Sequence, residues 1–247
     1  MKVSIVTITY NSSKTIVDTI KSVISQTYKD VEFIIIDGAS TDDTLTKIKL
    51  YSSSINVLIS EPDKGIYDAM NKGLSKASGE IVAILNSDDV YSHSFVLEKI
   101  VNEFKATNSD GVYADLHYVD SIDTRKIVRR WKSGVYRDNS FLYGWMPPHP
   151  SFFVKRKVYE KYGKFNTILK SAADYELMLR FIHKYKIKIS YLPEVLVNMR
   201  IGGASNGSLK NRIKANLEDR KAWELNGIKP YFFTLILKPL RKLTQFF

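Results

Sequence analysis

Along the first third of the chain, short apolar runs alternate with stretches of helical spacing. Lys2–Ile8 is apolar and β-branched and breaks at Thr9, Tyr10, Asn11 and Ser12. Thr15–Gln26 then places Ile16, Ile20, Val23 and Ile24 on one helix face. Val31–Ile36 is a second run, stopped by Asp37, Gly38, Ala39 and Ser40, after which Thr41 or Asp42 can cap a helix reaching Lys49. Val57–Ser60 and Glu80–Leu85 read as further strands, with a helix around Tyr67–Lys76 between them. Apolar strands alternating with helices predict an α/β fold with a mostly parallel sheet covered on both faces. Ligands of such sheets sit beyond the carboxyl ends of the strands. Tyr10, Asp37 and the pair Asp88/Asp89 are therefore expected around one crevice.

The second half is less regular. Gly111–Asp120, Ser151–Lys155 and Ile187–Leu192 read as strands, and the basic stretch Arg125–Lys132 as a hairpin or loop. Trp145–Pro150 (WMPPHP) is a stiff connector, because its prolines exclude regular helix. Ser171–His183 predicts one amphipathic helix with Leu177, Leu179, Phe181 and Ile182 toward a core, and Gly202, Gly203 and Ser205 mark a loop.

Composition narrows the classes. The 247 residues contain no cysteine, which excludes a disulfide scaffold, thiolate metal sites and cysteine nucleophiles. The start of the chain lacks a signal-peptide pattern, so a cytoplasmic location is expected, and no apolar run approaches the roughly 18 residues of a spanning helix. The net charge of +11 is unevenly spread. Residues 1–124 carry 11 basic and 18 acidic side chains, while residues 125–247 carry 26 basic and 8 acidic. The acidic half suits a divalent cation, and the basic half suits phosphate, nucleic acid or a membrane surface, or is simply a solvated face.

Asn86-Ser87-Asp88-Asp89 is the first chemical signal. Two adjacent carboxylates at the end of a buried strand are costly unless a cation or other donors neutralise them. Mg²⁺ or Mn²⁺ commonly combines one or two such carboxylates with substrate phosphates. A solvated capping turn is the alternative. Asp174, three residues after Ser171, reads as a helix cap or as a general base facing the crevice, with pattern alone favouring the cap. Neither a Gly-x-Gly-x-x-Gly nor a P-loop is present. The histidines (His93, His117, His149, His183) lack metal-ligand spacing, but His149 is held between Pro148 and Pro150.

These segments resemble family 2 glycosyltransferases, which adopt the GT-A fold. The resemblance rests on Val3–Asn11, on Glu32–Thr44, on the Asn-Ser-Asp-Asp tetrad and on Ala173–Leu177, in that order. Glu61–Gly73 (EPDKGIYDAMNKG), Pro148–Phe153 and Arg200–Ser205 resemble the bacterial branch that builds capsule, colanic-acid-like or O-antigen polysaccharides. The resemblance implies a GT-A catalytic domain over residues 1–205, with a nucleotide-sugar half (1–112) and an acceptor half (113–205). It implies that Thr7, Thr9 and Tyr10 line the nucleobase pocket and that Asp37 meets base or ribose. Asn11, Ser40, Asp63, Gly65 and Asn71 are implied near the donor, Asn71 with helix-start packing as an equal alternative. Asp88 is implied at the ribose or metal, Asp89 as ligand of Mg²⁺ or Mn²⁺, and Asp174 as the base of an inverting transfer. His149 and Arg200 are implied near the diphosphate or the acceptor. Three departures stand out: Gly38 where a second carboxylate is common, Met70 where an Arg is common, and Ala173 where a Glu is common.

Residues 206–247 are expected to form a basic amphipathic helical tail. Ile228, Phe232, Leu235, Ile236, Leu240, Leu243 and Phe247 recur at helical spacing opposite Lys238, Arg241 and Lys242, with Pro230 suited to a first turn and Pro239 to a kink. Such a helix lies at a membrane surface, or docks on the catalytic domain or a second subunit. With the resemblance, it suggests a nucleotide-sugar donor, preferably of uridine, a polyprenyl-diphosphate-linked acceptor, and peripheral attachment at the inner face of the cell membrane. Homo-oligomerisation stays open, and no nucleic acid is expected. The competing readings are a basic nucleic-acid-binding module and an inactive family member acting as a scaffold.

Overall fold

A computed structural model of the chain describes residues 1–202, 209–242 and 245, with only the backbone described for 209–215. Its centre is a parallel group of four strands. β1 (Val3–Thr9) lies between β2 (Val31–Asp37) and β4 (Ile81–Ile84), and β3 (Val57–Ser60) pairs with β2. The sheet continues beyond β4 with mixed pairing. There β8 (Phe152–Lys155) runs antiparallel to β4 and to β6 (Gly111–Val119). β9 (Ile189–Arg200) runs parallel to β6, and β5 (Asp89–Tyr91) closes the edge antiparallel to β9. β7 (Ile127–Trp131) hangs from β6 as an antiparallel hairpin strand, so the basic stretch is largely a strand.

The alternation of side chains along a strand divides the core into two layers. On one face Val3, Ile5, Phe33 and Ile35 pack on α1 (Ile16–Ile24), α2 (Thr44–Lys49) and α4 (Val96–Thr107). On the other, Val6, Ile8, Ile34 and Ile36 pack on α3 (Ile66–Lys76) and on the elements of the second half. Helix α3 lies directly against the sheet: a Cβ on Gly73 would come within 2.2 Å of Val6 Cγ1. Of the expected α1 face, Ile16, Ile20 and Val23 are buried, while Ile24 is exposed at its end.

In the second half α5 (Arg156–Tyr162) precedes α6 (Ala173–Met178), which continues as π-helical turns over Leu179–Lys184. The expected single helix is thus interrupted in its hydrogen bonding, although Leu177, Leu179, Phe181 and Ile182 are all buried. Two helices follow, α7 (Leu209–Leu225) and α8 (Thr234–Leu240). Helix α8 starts four residues after Pro230, which lies before the helix rather than in its first turn.

Both C-terminal helices pack on the rest of the chain. Trp223 is fully buried and donates through Nε1 to Tyr175 Oη at 3.0 Å. Thr234 Oγ1 donates to the Leu142 carbonyl at 2.6 Å, and Lys238 pairs with Asp219 at 2.5 Å. Gly144, at φ +75°, permits this contact, because a Cβ there would stand 2.5 Å from the Lys238 backbone nitrogen. The apolar residues of the tail therefore divide: Ile228 and Leu235 pack on the core, while Phe232, Ile236 and Leu240 are exposed. Gly203, Ser205, Leu243 and Phe247 lie outside the described residues.

Candidate active site

The loops after β1, β2 and β4 are tied together, as the strand order requires. The Asn11 amide donates to Ser40 Oγ (2.8 Å), and the Thr41 amide to Asn11 Oδ1 (2.9 Å). The Ser12 amide donates to Thr44 Oγ1 (2.8 Å), while Ser12 Oγ and Ser87 Oγ share a bond of 2.8 Å. Tyr10 projects from this knot and is 61% exposed, leaving a ring face open to a base. Thr7 and Thr9 differ from the expectation that they line the pocket. Both point from β1 into the α1/α4 layer and are buried, so they sit beneath the crevice floor. Asp37 is also enclosed. Its carboxylate accepts from the Ser40 amide (3.0 Å), Ser40 Oγ (2.5 Å) and Ser60 Oγ (2.7 Å), and so positions the loop.

Gly38 explains one departure from the family pattern. A Cβ there would lie 2.5 Å from Asp63 Oδ2 and 3.5 Å from the Tyr10 ring. The Asp63 carboxylate thus occupies the side-chain space that glycine leaves beside Tyr10. Asp63 Oδ1 accepts from the Gly65 amide at 2.8 Å, holding the turn into α3.

Asp88 and Asp89 follow β4. Asp89 is fully buried, and its carboxyl is raised well above the usual carboxylate range, first by burial and then by the Asp88 charge. Asp88 is raised by burial, with Arg200 opposing. Asp89 Oδ2 accepts from Asn86 Nδ2 at 3.2 Å, while Asp89 Oδ1 and Asn86 Oδ1 are buried without a hydrogen-bond partner. Orphaned acceptor oxygens beside a second carboxylate are the donor set of a hard divalent cation, so these residues fit Mg²⁺ or Mn²⁺. Among the described residues no group of three His, Cys, Asp or Glu side chains forms a metal cage, so substrate oxygens would have to complete the shell. Arg200 sits behind the pair, not at an open surface. It is buried, donates to the Asp88 carbonyl at 2.7 Å and pairs with Asp18 at 2.5 Å.

Asp174 stands in the first turn of α6, and the capping reading fails for it. The N-cap is Ala172, and no side chain caps the helix from that position. Glu218 of α7 does that work from outside, accepting from the amides of Lys170 (3.0 Å), Ser171 (2.7 Å) and Ala172 (3.1 Å). Asp174 Oδ1 instead accepts from the Tyr67 hydroxyl of α3 at 3.1 Å. Burial and then the Asp174 charge raise the Tyr67 phenol far above its ordinary value, so it remains a donor. His149 is close enough to feel Asp174, but burial dominates and lowers its pKa, favouring the neutral imidazole.

One face of α3 positions this region. Tyr67 stacks on Phe165 at 5.7 Å, and His149 meets the edge of the same ring at 5.7 Å. Four residues on, Asn71 Nδ2 donates to the Phe165 carbonyl and Asn71 Oδ1 accepts from its amide, both at 2.9 Å. Asn71, in the middle of α3 rather than at its start, thus spends its amide on the segment that leads to Asp174. Tyr67 and Glu218 were missed as functional residues. The i,i+4 pair of Tyr67 and Asn71 is a sequence signal for a shared face, whereas nothing local to Glu218 indicates its distant partners.

Tyr118 links the two acidic regions. Its hydroxyl is raised first by burial, with Arg129 opposing and both Asp89 and Asp174 adding to the shift. The two carboxylates thus act on one phenol from different elements, β5 and α6.

The cation-type donor set after β4 and a separate carboxylate on a helix start lie on one α/β scaffold. Residues 4–163 match the glycosyl transferase family 2 profile, and the chain belongs to that family. It is similar to a PGL/p-HBAD biosynthesis glycosyltransferase of Mycobacterium bovis, 27% identical over 207 residues, covering 82% of this chain and 78% of the relative. An uncharacterized glycosyltransferase of Mycobacterium tuberculosis is 32% identical over 181 residues, covering 72% and 68%. The fold is that of S. aureus TarS 1-349 in complex with UDP-GlcNAc, at TM-score 0.70 and 20% identity. That match covers 92% of this chain and 65% of TarS 1-349. A mannosyltransferase from Pyrobaculum calidifontis in complex with GDP-Man and Mn²⁺ superposes at TM-score 0.68, with 20% identity and coverage of 96% and 68%.

Proposed function

We propose that this glycosyltransferase moves a sugar, with inversion, from a nucleotide-diphosphate donor to a hydroxyl of a lipid-linked saccharide in cell-surface polysaccharide synthesis. The observation that carries the reading is a pair of separate acidic positions: Asp89, with a carboxylate oxygen buried without a partner beside Asp88, and Asp174, held by the Tyr67 hydroxyl. One carboxylate belongs to a cation-type donor set, and the other is free of helix capping.

In this mechanism Tyr10 stacks on the base, with uridine favoured by the bound nucleotide of the TarS neighbour. Asp63 lies beside that ring, and Asp37, Asn11 and Ser40 hold the loop. Asp88 and Asp89 would hold Mg²⁺ or Mn²⁺, which supplies charge stabilisation to the departing diphosphate. Asp174 accepts the proton of the acceptor hydroxyl as that oxygen attacks the anomeric carbon from the side opposite the leaving group. Tyr67 fixes the carboxylate during that step. The exposed Phe232, Ile236 and Leu240, with Arg241 beyond them, support peripheral contact with an anionic membrane. No helix among the described residues is long and apolar enough to cross one.

The test is a thermal-shift screen of nucleoside diphosphates and nucleotide sugars with Mn²⁺, repeated on Asp89→Ala. The cognate donor raises Tm by mass action in the native chain and loses most of that effect in the variant. No shift with any nucleotide would overturn the enzyme reading, as would one that Asp89→Ala leaves untouched overturn the metal reading.

A further inference from the structure

Gly38 stands beside the exposed Tyr10 ring, yet its backbone does not call for glycine. The left-handed turn after β2 falls on the next residue, Ala39, at φ 61°, and Gly38 itself lies outside the positive-φ region. What glycine supplies there is space. A Cβ would stand 2.5 Å from Asp63 Oδ2, closer than a carbon and an oxygen pack, and 3.5 Å from Tyr10 Cδ2. The Asp63 carboxylate therefore borders the ring to which the donor's base is assigned.

The loop that carries Asp63 is held at both ends. The Glu61 amide donates to the Asp37 carbonyl at 3.0 Å, and Lys72 Nζ donates to the Pro62 carbonyl at 2.8 Å. The Lys64 amide donates to Asp68 Oδ2 at 3.0 Å. Asp63 Oδ1 accepts from the amide of Gly65, whose φ of +117° does need glycine. The side chain could swing away from Gly38 only by giving up that bond. Oδ2 is left over: among the described residues no hydrogen-bond donor reaches it.

A carboxylate accepts and does not donate. Uracil and thymine present one imide N–H at ring position 3, whereas cytosine presents a lone pair there. Guanine presents two donors side by side, which suit two carboxylate oxygens, and here Oδ1 is already bonded to Gly65. We infer that Asp63 is the residue that reads the nucleobase, its Oδ2 accepting from the imide N–H of a uracil or thymine stacked on Tyr10. Gly38 is small so that this carboxylate can stand beside the ring. The inference rests on the nucleotide-donor reading, and its test separates the two.

Dissociation constants of UDP, dTDP, CDP, GDP and 3-methyl-UDP are measured by titration calorimetry on the full chain with Mn²⁺. The native chain should hold UDP or dTDP about tenfold or more tighter than CDP, GDP and 3-methyl-UDP, as expected for one hydrogen bond to a charged group. The tighter of UDP and dTDP assigns the nucleoside. Asp63→Ala should erase the difference between UDP and 3-methyl-UDP, which isolates the contact as a cycle of residue against ligand. Asp63→Asn keeps an oxygen for the Gly65 amide and gains a donor for the cytosine lone pair, so the UDP-to-CDP preference should shrink or reverse. Gly38→Ala should act like Asp63→Ala from the opposite side of the pocket. A purely structural Asp63 would weaken every nucleotide equally in these variants and would overturn the inference. Native binding that favours CDP or GDP, or ignores the 3-methyl group, would overturn it while leaving the enzyme reading intact. Binding of no nucleotide at all would remove both.

Discussion

Replacing Tyr67 by Phe removes one hydroxyl and leaves the ring stacked on Phe165. The lost contact is a neutral donor on a carboxylate, at 3.1 Å to Asp174 Oδ1. Hydrogen bonds to charged groups contribute about 1.5–3 kcal/mol, and the low end applies because Asp174 is only half-buried and water can replace the phenol. The kcat should fall several-fold because the carboxylate is no longer fixed, while KM for the donor stays constant. Folding stability should drop by only about 1 kcal/mol. The assay is nucleoside diphosphate release from the donor found by thermal shift, followed from pH 5 to 9 in both proteins. A Tyr67→Phe enzyme with unchanged kcat would refute the argument that α3 positions the base.

Two further perturbations probe the scaffold. Glu32 is held at about 2 although burial acts to raise it, because Ser4, Ser78 and Lys2 all donate to its carboxylate. A folded value below the unfolded one, about 4.3, gives stability that is full above the unfolded pKa and fades as pH falls toward 2, to a total of about 3 kcal/mol. Urea midpoints of wild type and Glu32→Gln should therefore converge between pH 5 and 2, and parallel curves would contradict this. Gly73→Ala should favour the helix by about 1 kcal/mol on propensity alone. The new methyl would meet Val6 Cγ1 at 2.2 Å and Ile36 Cγ1 at 3.3 Å, however, and overpacking costs about 1–3 kcal/mol. Tm should fall by a few degrees, and a rise would show that α3 does not lie so close to β1.

The parallel half of the fold was legible because each strand is a continuous apolar run with its own polar stop. The ends of β1, β2 and β4 had to meet once that order was set. The role of Asp37 was harder to read, since its three partners come from Ser40 next to it and Ser60 on another strand. Asp174 shows the same limit. A Ser three residues before it looks like a cap, but that Ser is turned to Glu218, 47 positions away. The antiparallel additions β5 and β7 are short, with five residues or fewer, and carry little periodic signal. The tail's spacing was read as one apolar face, but Ile228 and Leu235 turn inward while Phe232 and Ile236 turn outward. A chain that both docks and presents apolar residues outward has no single moment to detect.

The clasp formed by the last two helices bears on how the chain may be dissected. Glu218 steadies the turn that carries the base, Trp223 plugs the rear of the second core layer, and Lys238 seats itself where Gly144 leaves room. Shortening the chain before α7 would therefore cripple the catalyst as well as release any tether, and lost vesicle binding would be uninterpretable. Exchanging Phe232 and Ile236 for serine, outside the clasp, separates attachment from turnover.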